Sequence, residues 1–574
     1  MSSKLPSDSM EDYNNVPVIQ IRNLGLHFAA SRPSTLPNLS PSPLSDPING
    51  TSTSSGGMDT KTLRNRLGLL SKTKTTVEST IRECIQKRAV CVQGGDLTLE
   101  RYLPISDFDE IFSNEIIECL LKEQQSLVEG DSLQDRIDKV LVRRRILGIL
   151  IYMKSLDLFE QFVSKNIRDD QLPFKQSTEW SKLNGPQTGG RLLSEEDLFR
   201  HWNWDDNEIV LFRSYQSMFF VPFLNMNDNL YSYVLHRGIR LPWKKCEAKS
   251  NGGNGIVHKL EIHPAHHNFN PTALSGNNPL FALKEINTFD ENVYKDELNA
   301  LAQVGAKVHE EKHLIKLLLT FQHGPRYYFL FEWADSNLQE FWERHDGRPG
   351  YEFYEPLWAA QQLHGLATAV KRIHGLASWQ KNLDHSQRSE YGRHGDIKPN
   401  NILWFSSSRT GKDLLVLSDL GLTRFHSLDT RSKVAPSRID GYTGRYRPPE
   451  MEVPNHQICS KYDIWSLGCV YLEFCIWWRE GSDGLEKFAY ELKEESAGPT
   501  VVKEDNFFTV RNGQASVKQV VEKWIKRLIK ENDGFTTPML ELISSEMLVV
   551  SQTDRVKSDF LCTHISHIVK RLGV

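Results

Sequence analysis

The stretch His394-Gly-Asp-Ile-Lys-Pro-Asn-Asn401 constrains this chain more than any other. It sets a carboxylate, Asp396, two positions before a cation, Lys398, and five before an amide, Asn401. A phosphoryl-transfer loop needs these groups: a base for a hydroxyl proton, a positive charge near the moving phosphate and an oxygen ligand for a metal. Taken alone, the octapeptide leaves open whether the acceptor hydroxyl belongs to a protein or to a small molecule.

Three further segments follow it. The apolar run Leu414 to Leu417 reads as a buried strand that delivers Asp419 to a turn, in Ser418-Asp-Leu-Gly421. Gly441-Tyr-Thr-Gly-Arg-Tyr-Arg-Pro-Pro-Glu450 comes next, and then Asp463-Ile-Trp-Ser-Leu-Gly468. In this order the segments resemble the catalytic loop HRDxKxxN, the DFG element, the APE end of the activation segment and the helix start that braces the loop in eukaryotic protein kinases. Small-molecule kinases share the first pattern but not the last two. Lys398 after Asp396 is the serine/threonine pattern. Gly395, Leu420 and Pro448 stand where the family has Arg, Phe and Ala.

The resemblance covers residues 241–574 and implies a site, residue by residue. Asp396 would be the base, Lys398 would stabilise the transferred phosphate, and Asn401 and Asp419 would hold Mg2+. Asn251-Gly-Gly-Asn-Gly255-Ile-Val-His-Lys-Leu260 resembles the glycine-rich loop that covers the phosphates of ATP. Gly253 and Gly255 would be its first two glycines, His258 would replace the third and Leu260 the valine, with Val257 among the nucleotide contacts. Phe281-Ala282-Leu-Lys284 resembles the strand whose lysine contacts the α and β phosphates, Ala282 lying beside the nucleotide. A lysine buried in a strand needs a counter-ion, for which Glu297 is the first candidate and Glu310 or Glu311 the alternatives. Phe331 would be the gatekeeper, with Glu332, Trp333 and Ala334 along the adenine edge. Thr443 would bond the catalytic Asp and Lys, and Glu450 would pair with Arg555. Gly395 removes the arginine that clasps an activation-segment phosphate in many kinases, so activity independent of modification at Ser427, Thr430, Ser432 and Ser437 is expected.

Upstream the signals differ. Residues 1–60 are rich in Ser, Pro, Asn and Gly, the composition of a disordered tail, with Ser40-Pro41 and Ser42-Pro43 as candidate phosphorylation sites. Residues 61–240 read as an α-helical accessory domain with a protein partner and no catalytic constellation. Ile111, Phe112, Ile116, Ile117, Leu120 and Leu121 recur at helical spacing, and Ser132 with Asp135 resembles a capping box. Trp202 and Trp204 are expected in the core, and Arg143, Arg144 and Arg145 on a solvated face. His263, His266 and His267 lie in an insertion without an acid or Cys beside them, which argues for a loop rather than a metal site.

A net charge of -4 weighs against a general nucleic-acid or membrane-surface role. Eight scattered cysteines with no CxxC pair read as reduced thiols, and the start lacks the apolar core of a signal peptide, so a cytoplasmic or nuclear location is expected. The expected fold is α+β: a bilobal kinase, with a small antiparallel sheet and a helical lobe, behind the helical domain. In overall shape the chain resembles protein-kinase-domain proteins of filamentous fungi. The function implied is transfer of the ATP γ-phosphate to a protein Ser or Thr. A nucleotide-binding scaffold without catalysis and a small-molecule kinase are the alternatives.

Overall fold

Apolar residues three and four apart draw the N-terminal helices together. The computed structural model describes residues 19–23, 62, 76–94, 101–172, 199, 202, 204–226, 230–235, 238–252, 255–269, 278–286, 294–295, 297–298, 301, 311–345, 355–375, 391–406, 413–420, 424–426, 444–452, 458–495 and 504–573. Of the expected tail, only Ile19–Asn23 falls within them, as strand β1. Strands β2 (Val90–Cys91) and β3 (Arg101–Tyr102) form a short ladder among the helices.

Helix α1 (Val77–Arg88) begins at Thr76, whose hydroxyl accepts the Ser79 N–H at 3.1 Å. Helices α2 (Ile105–Ile111), α3 (Asn114–Glu123), α4 (Leu133–Leu141), α5 (Arg144–Met153), α6 (Phe159–Ser164) and α7 (Asp206–Phe219) follow. The stripe from Ile111 to Leu121 is buried in their shared core. Ser132 accepts the Asp135 N–H at 3.1 Å, capping α4 as its spacing suggested. Trp202 and Trp204 pack on Phe162 and Phe199, in the core.

The arginine run overturns its expected solvated face. Arg143 is only 3% exposed, donating to Ile167 O at 2.6 Å and to Lys139 O at 2.8 Å. It sits just past α4, whose last carbonyls lack helical partners, and its fork satisfies one of them. The Arg145 guanidinium lies 4.9 Å from the Phe220 ring centroid. The histidines of the insertion take structural roles. Buried His266 faces Pro222 O through Nδ1 and accepts the Ile105 N–H on Nε2, each at 3.0 Å. That pattern requires the neutral ring.

Strands β4 (Tyr231–Leu235), β5 (Trp243–Gly252), β6 (Gly255–Ile262), β7 (Leu280–Glu285), β8 (Leu317–His323) and β9 (Arg326–Glu332) join β1 in one sheet ordered β1-β4-β8-β9-β7-β6-β5. β4 runs parallel to β8, so the sheet is not wholly antiparallel. The chain divides into two compact units, one of residues 1–248, 259–269 and 319–328, the other of 249–258, 270–318 and 329–574. This division is interleaved rather than a single cut after residue 240, because β5, β6, β8 and β9 each run through both units.

The second unit continues with β10 (Ser336–Asn337), α8 (Leu338–Arg344), α9 (Pro356–Gly375) and the strand pairs β11 (Tyr391–Arg393) with β14 (Arg424–His426) and β12 (Ile402–Phe405) with β13 (Leu414–Leu417). Helix α10 (Lys461–Glu495), broken at Gly481, is followed by the hairpin β15 (Phe508–Arg511) and β16 (Gln514–Val517). Helices α11 (Gln519–Ile529), α12 (Thr536–Leu542) and α13 (Ser558–Leu572) complete it.

Candidate active site

A hairpin brings residues distant in sequence together. β12 and β13 pair antiparallel with Ile402 opposite Leu417, so the residue before one strand meets the residue after the other. Ser418 accordingly donates from its amide to Asn401 O at 2.8 Å, and from its hydroxyl to the same oxygen at 2.9 Å. These two bonds clamp the start of the Asp419 turn onto the catalytic loop. Asp419 itself has φ +60°, a left-handed conformation that costs a non-glycine residue about 1 kcal/mol or more.

Within the loop, Asp396 Oδ2 lies 2.7 Å from Lys398 Nζ and accepts the Asn401 side-chain N–H at 2.9 Å. A second Asn401 N–H bond, to Asp396 O at 2.8 Å, uses up the amide nitrogen. Oδ1 is then the Asn401 atom suited to a metal, and Asp419 offers a carboxylate, so the donor set fits a hard cation such as Mg2+.

Asp463, at the start of α10, holds the loop from beneath. It accepts the N–H groups of His394 at 2.8 Å and Gly395 at 2.9 Å, and lies 2.9 Å from His374 Nε2. Burial opposes its ionised form, but the His374 hydrogen bond and charge, then His394 and the Gly395 N–H, outweigh it and hold its pKa below the usual value. Gly395 adopts φ +85°, which glycine takes without a Cβ penalty. His394 accepts the Asp396 N–H on Nδ1 at 3.3 Å and faces Ser418 O through Nε2 at 2.9 Å, which fixes one neutral tautomer.

Lys284, on β7, meets Glu297 Oε1 at 2.7 Å and Asp419 Oδ1 at 3.0 Å. Burial works against its charge, yet the carboxylates of Asp419 and Glu297 prevail and raise its pKa; burial raises that of Glu297 despite Lys284. Glu311 is occupied elsewhere, accepting the His313 N–H at 3.2 Å. Glu310, Gly253, Thr443, Ser427, Thr430, Ser432 and Ser437 lie outside the described residues.

His258 does not stand where the glycine-rich loop would put it. Its Nε2 lies 3.5 Å from Glu285 Oε2. Side chains alternate along β7, so Glu285 and Lys284 point to opposite faces, and His258 stands on the face away from Lys284. Its neighbour Val257 is on the Lys284 face. His258 is therefore not a bulky replacement beside the phosphates. Gly255, at φ +144° where a Cβ would run into Glu285 O, is the glycine that opens β6. Ala282 shares the Lys284 face by the same alternation. Phe331 lies near the end of β9. Just beyond that strand the Trp333 N–H is committed to Leu280 O at 3.1 Å, which places Glu332, Trp333 and Ala334 beside β7.

Two features escaped the sequence. His374 also reaches Ser558 Oγ, at 3.2 Å, tying the start of α13 to the Asp463 brace; a histidine ending a helix before the loop was the available signal. Glu473, buried in α10, accepts from Arg445 at 2.6 Å and from Tyr446 at 3.0 Å, which no local pattern announces.

Comparison with known proteins agrees with this geometry. Homeodomain-interacting protein kinase 4 of Homo sapiens is 28% identical over 191 residues, 33% of this chain and 27% of the relative. A probable serine/threonine-protein kinase KIN28 homolog of Encephalitozoon cuniculi is 27% identical over 180 residues, 31% of this chain and 48% of the relative. Cyclin-dependent kinase B1-1 of Arabidopsis thaliana is 27% identical over 146 residues, 25% of this chain and 40% of the relative. The chain thus spans between about a quarter and a half of each. The protein kinase domain family matches residues 272–564, just over half of the chain. The chain belongs to the eukaryotic protein kinase superfamily.

Proposed function

We propose that this protein is an active serine/threonine protein kinase that transfers the ATP γ-phosphate to a protein hydroxyl. The observation that carries this reading is Lys284, held at once by Glu297 and Asp419 while Asp396, Lys398 and Asn401 stand hydrogen-bonded together. Charged groups set this close cost folding energy, and such clusters gather where chemistry uses them.

In this reading the substrate hydroxyl donates its proton to Asp396, whose carboxylate is oriented by Asn401. Lys398 stabilises the charge that develops on the transferred group, and Lys284 positions the α and β phosphates. Asn401 and Asp419 would hold magnesium, which neutralises phosphate charge when bound. Most of the rate would come from positioning and fixed charge, the base contributing about 10²–10⁴-fold. We read the helical unit as an accessory region with a protein partner. Among the described residues no helix is long and apolar enough to cross a membrane.

The test is radiolabelled ATP turnover by the purified chain with magnesium and a generic basic protein, beside Asp396→Ala. Transfer to Ser or Thr that falls by about 10²-fold or more in the variant supports the reading. No transfer, from a sample whose melting temperature still rises with ATP and magnesium, sinks it in favour of a nucleotide-binding scaffold.

A further inference from the structure

Helices α10 and α11 cap each other. Glu495, the last residue of α10, accepts the N–H groups of Gln519 at 2.8 Å and Val520 at 2.7 Å, two amides that open α11 and lack helical partners. Lys518, the residue before α11, reaches the other way, its Nζ donating to Leu492 O in the last turn of α10 at 3.0 Å. A cation there suits the negative end of the helix dipole.

Lys518 is only 1% exposed, and among the described residues its Nζ is held by carbonyls rather than by a carboxylate. The acids whose charge reaches it are Glu495, Asp505 and Glu504. Each is engaged elsewhere: Glu495 by the α11 amides, Asp505 by Arg445 and Glu504 by Arg447. Burying an ammonium in this way costs folding energy. Its remaining bonds run to one short segment, Nζ donating to Glu504 O at 2.9 Å and the Lys518 amide to Phe507 O at 3.1 Å.

That segment grips the stretch around Tyr446. Asp505 Oδ2 lies 3.1 Å from Arg445 Nη1, and Glu504 Oε2 lies 2.7 Å from Arg447 Nη2. The Phe507 ring centroid is 6.5 Å from that of Tyr446. The same stretch runs on to Glu450, and the charges of Glu450 and Asp396 both reach Tyr462. A chain whose hydroxyl lies at Asp396 therefore passes beside residues 444–447.

We infer that Lys518 is a positioning residue for the protein acceptor. It fixes residues 504–507, and through Asp505 and Glu504 it sets Arg445 and Arg447, against which the acceptor chain lies. Holding this surface in place before binding lowers the ordering cost that the acceptor meets. The nucleotide site shares none of these bonds, since Lys284, Glu297, Asp396 and Asn401 are held by other partners. The role toward the acceptor rests on the kinase reading; the strut itself does not.

Hydrogen exchange of the full chain with ADP and magnesium, read by mass spectrometry, tests the strut without turnover. Lys518→Met should speed exchange in residues 444–452 and 504–511 and leave residues 394–406 unchanged. Lys518→Arg, which keeps a cationic donor for the two carbonyls, should change it less. ADP must raise the melting temperature of every variant equally, which certifies the fold. Exchange in residues 444–452 equal to wild type overturns the inference, whatever the turnover assay gives.

Steady-state kinetics with the basic protein test the consequence. In Lys518→Met the KM for the protein should rise about 10-fold, the equivalent of one lost hydrogen bond from a charged group, with kcat and the KM for ATP unchanged. Asp505→Asn cuts the link to Arg445 while leaving Lys518 in place. It should raise the same KM, and the two changes together should be less than additive. A fall in kcat with that KM unchanged overturns the role toward the acceptor. A wild-type chain without turnover fails the kinase reading alone, and exchange then decides the strut.

Discussion

Arg555 forks both carboxylate oxygens of Glu450, at 2.8 and 2.9 Å, in an ion pair whose side chains are 0% and 1% exposed. The arginine also donates to Val549 O and Lys461 O, so every side of its fork is used. Breaking one side of such a pair leaves the other charge buried alone. Arg555→Ala should destabilise the second unit by about 3–5 kcal/mol, measured by urea denaturation. A change below about 1 kcal/mol would mean that water enters and replaces the arginine.

Lys284 is shared by two acids, so its removal should do more than weaken nucleotide binding. Lys284→Met leaves Glu297 and Asp419 without the cation that now lies 2.7 and 3.0 Å from them. Phosphate transfer should fall by about 10²–10³-fold, the usual cost of losing one preorganised charge. Radiolabelled turnover checks this, and an unaffected rate would remove Lys284 from the site.

Gly365, within α9, lies against the His313 ring, and a Cβ there would overlap the imidazole. The ring cannot easily retreat, because Nδ1 is 2.7 Å from Leu415 O. Alanine normally favours a helix over glycine by about 1 kcal/mol, but here overpacking should reverse the sign and cost about 1–3 kcal/mol net. Thermal melting of Gly365→Ala, and recovery in the double variant with His313→Ala, would show that the ring is the cause.

His266 makes the helical unit acid-sensitive. Burial, opposed by the Pro222 carbonyl and helped by the charges of His263 and His267, lowers its pKa from 6.5 to about 4. A folded pKa below the unfolded one means that the neutral ring stabilises the fold. That stability is present above pH 6.5 and is lost as pH falls toward about 4. Between pH 6.5 and 5 the loss should be about 1.5 kcal/mol. A His266→Phe variant, weaker at neutral pH, should lose less over the same interval. Equal losses in both proteins, read by urea denaturation at each pH, would assign the acid sensitivity to other groups.

Much of the second unit was legible because its chemistry is local. The spacing of Asp396, Lys398 and Asn401 fits within one loop, and Leu414 to Leu417 announces the strand that carries Asp419. The arginine partner of Glu450 was also readable, through the resemblance. The glycine loop was misread at His258 because a one-residue shift in alignment turns a side chain to the opposite face of a strand. Local residue order does not fix which face is which; the ladder with β7 does.

The buried arginines mark the other limit. Arg143 and Arg145 belong to a run that reads as a solvated surface, and only the packing of α4 and α5 shows that the run fills the turn between them. Likewise nothing in the residues near Arg393 says that it is only 6% exposed.

By itself the sequence determined the family, the order of the elements and the identity of the groups able to handle a phosphate, because these depend on residue types at short spacing. The tertiary structure decided which distant charges meet, Lys284 with Asp419 and Glu473 with Arg445, and which arginines are enclosed, because burial and ion pairing depend on what surrounds a side chain in space.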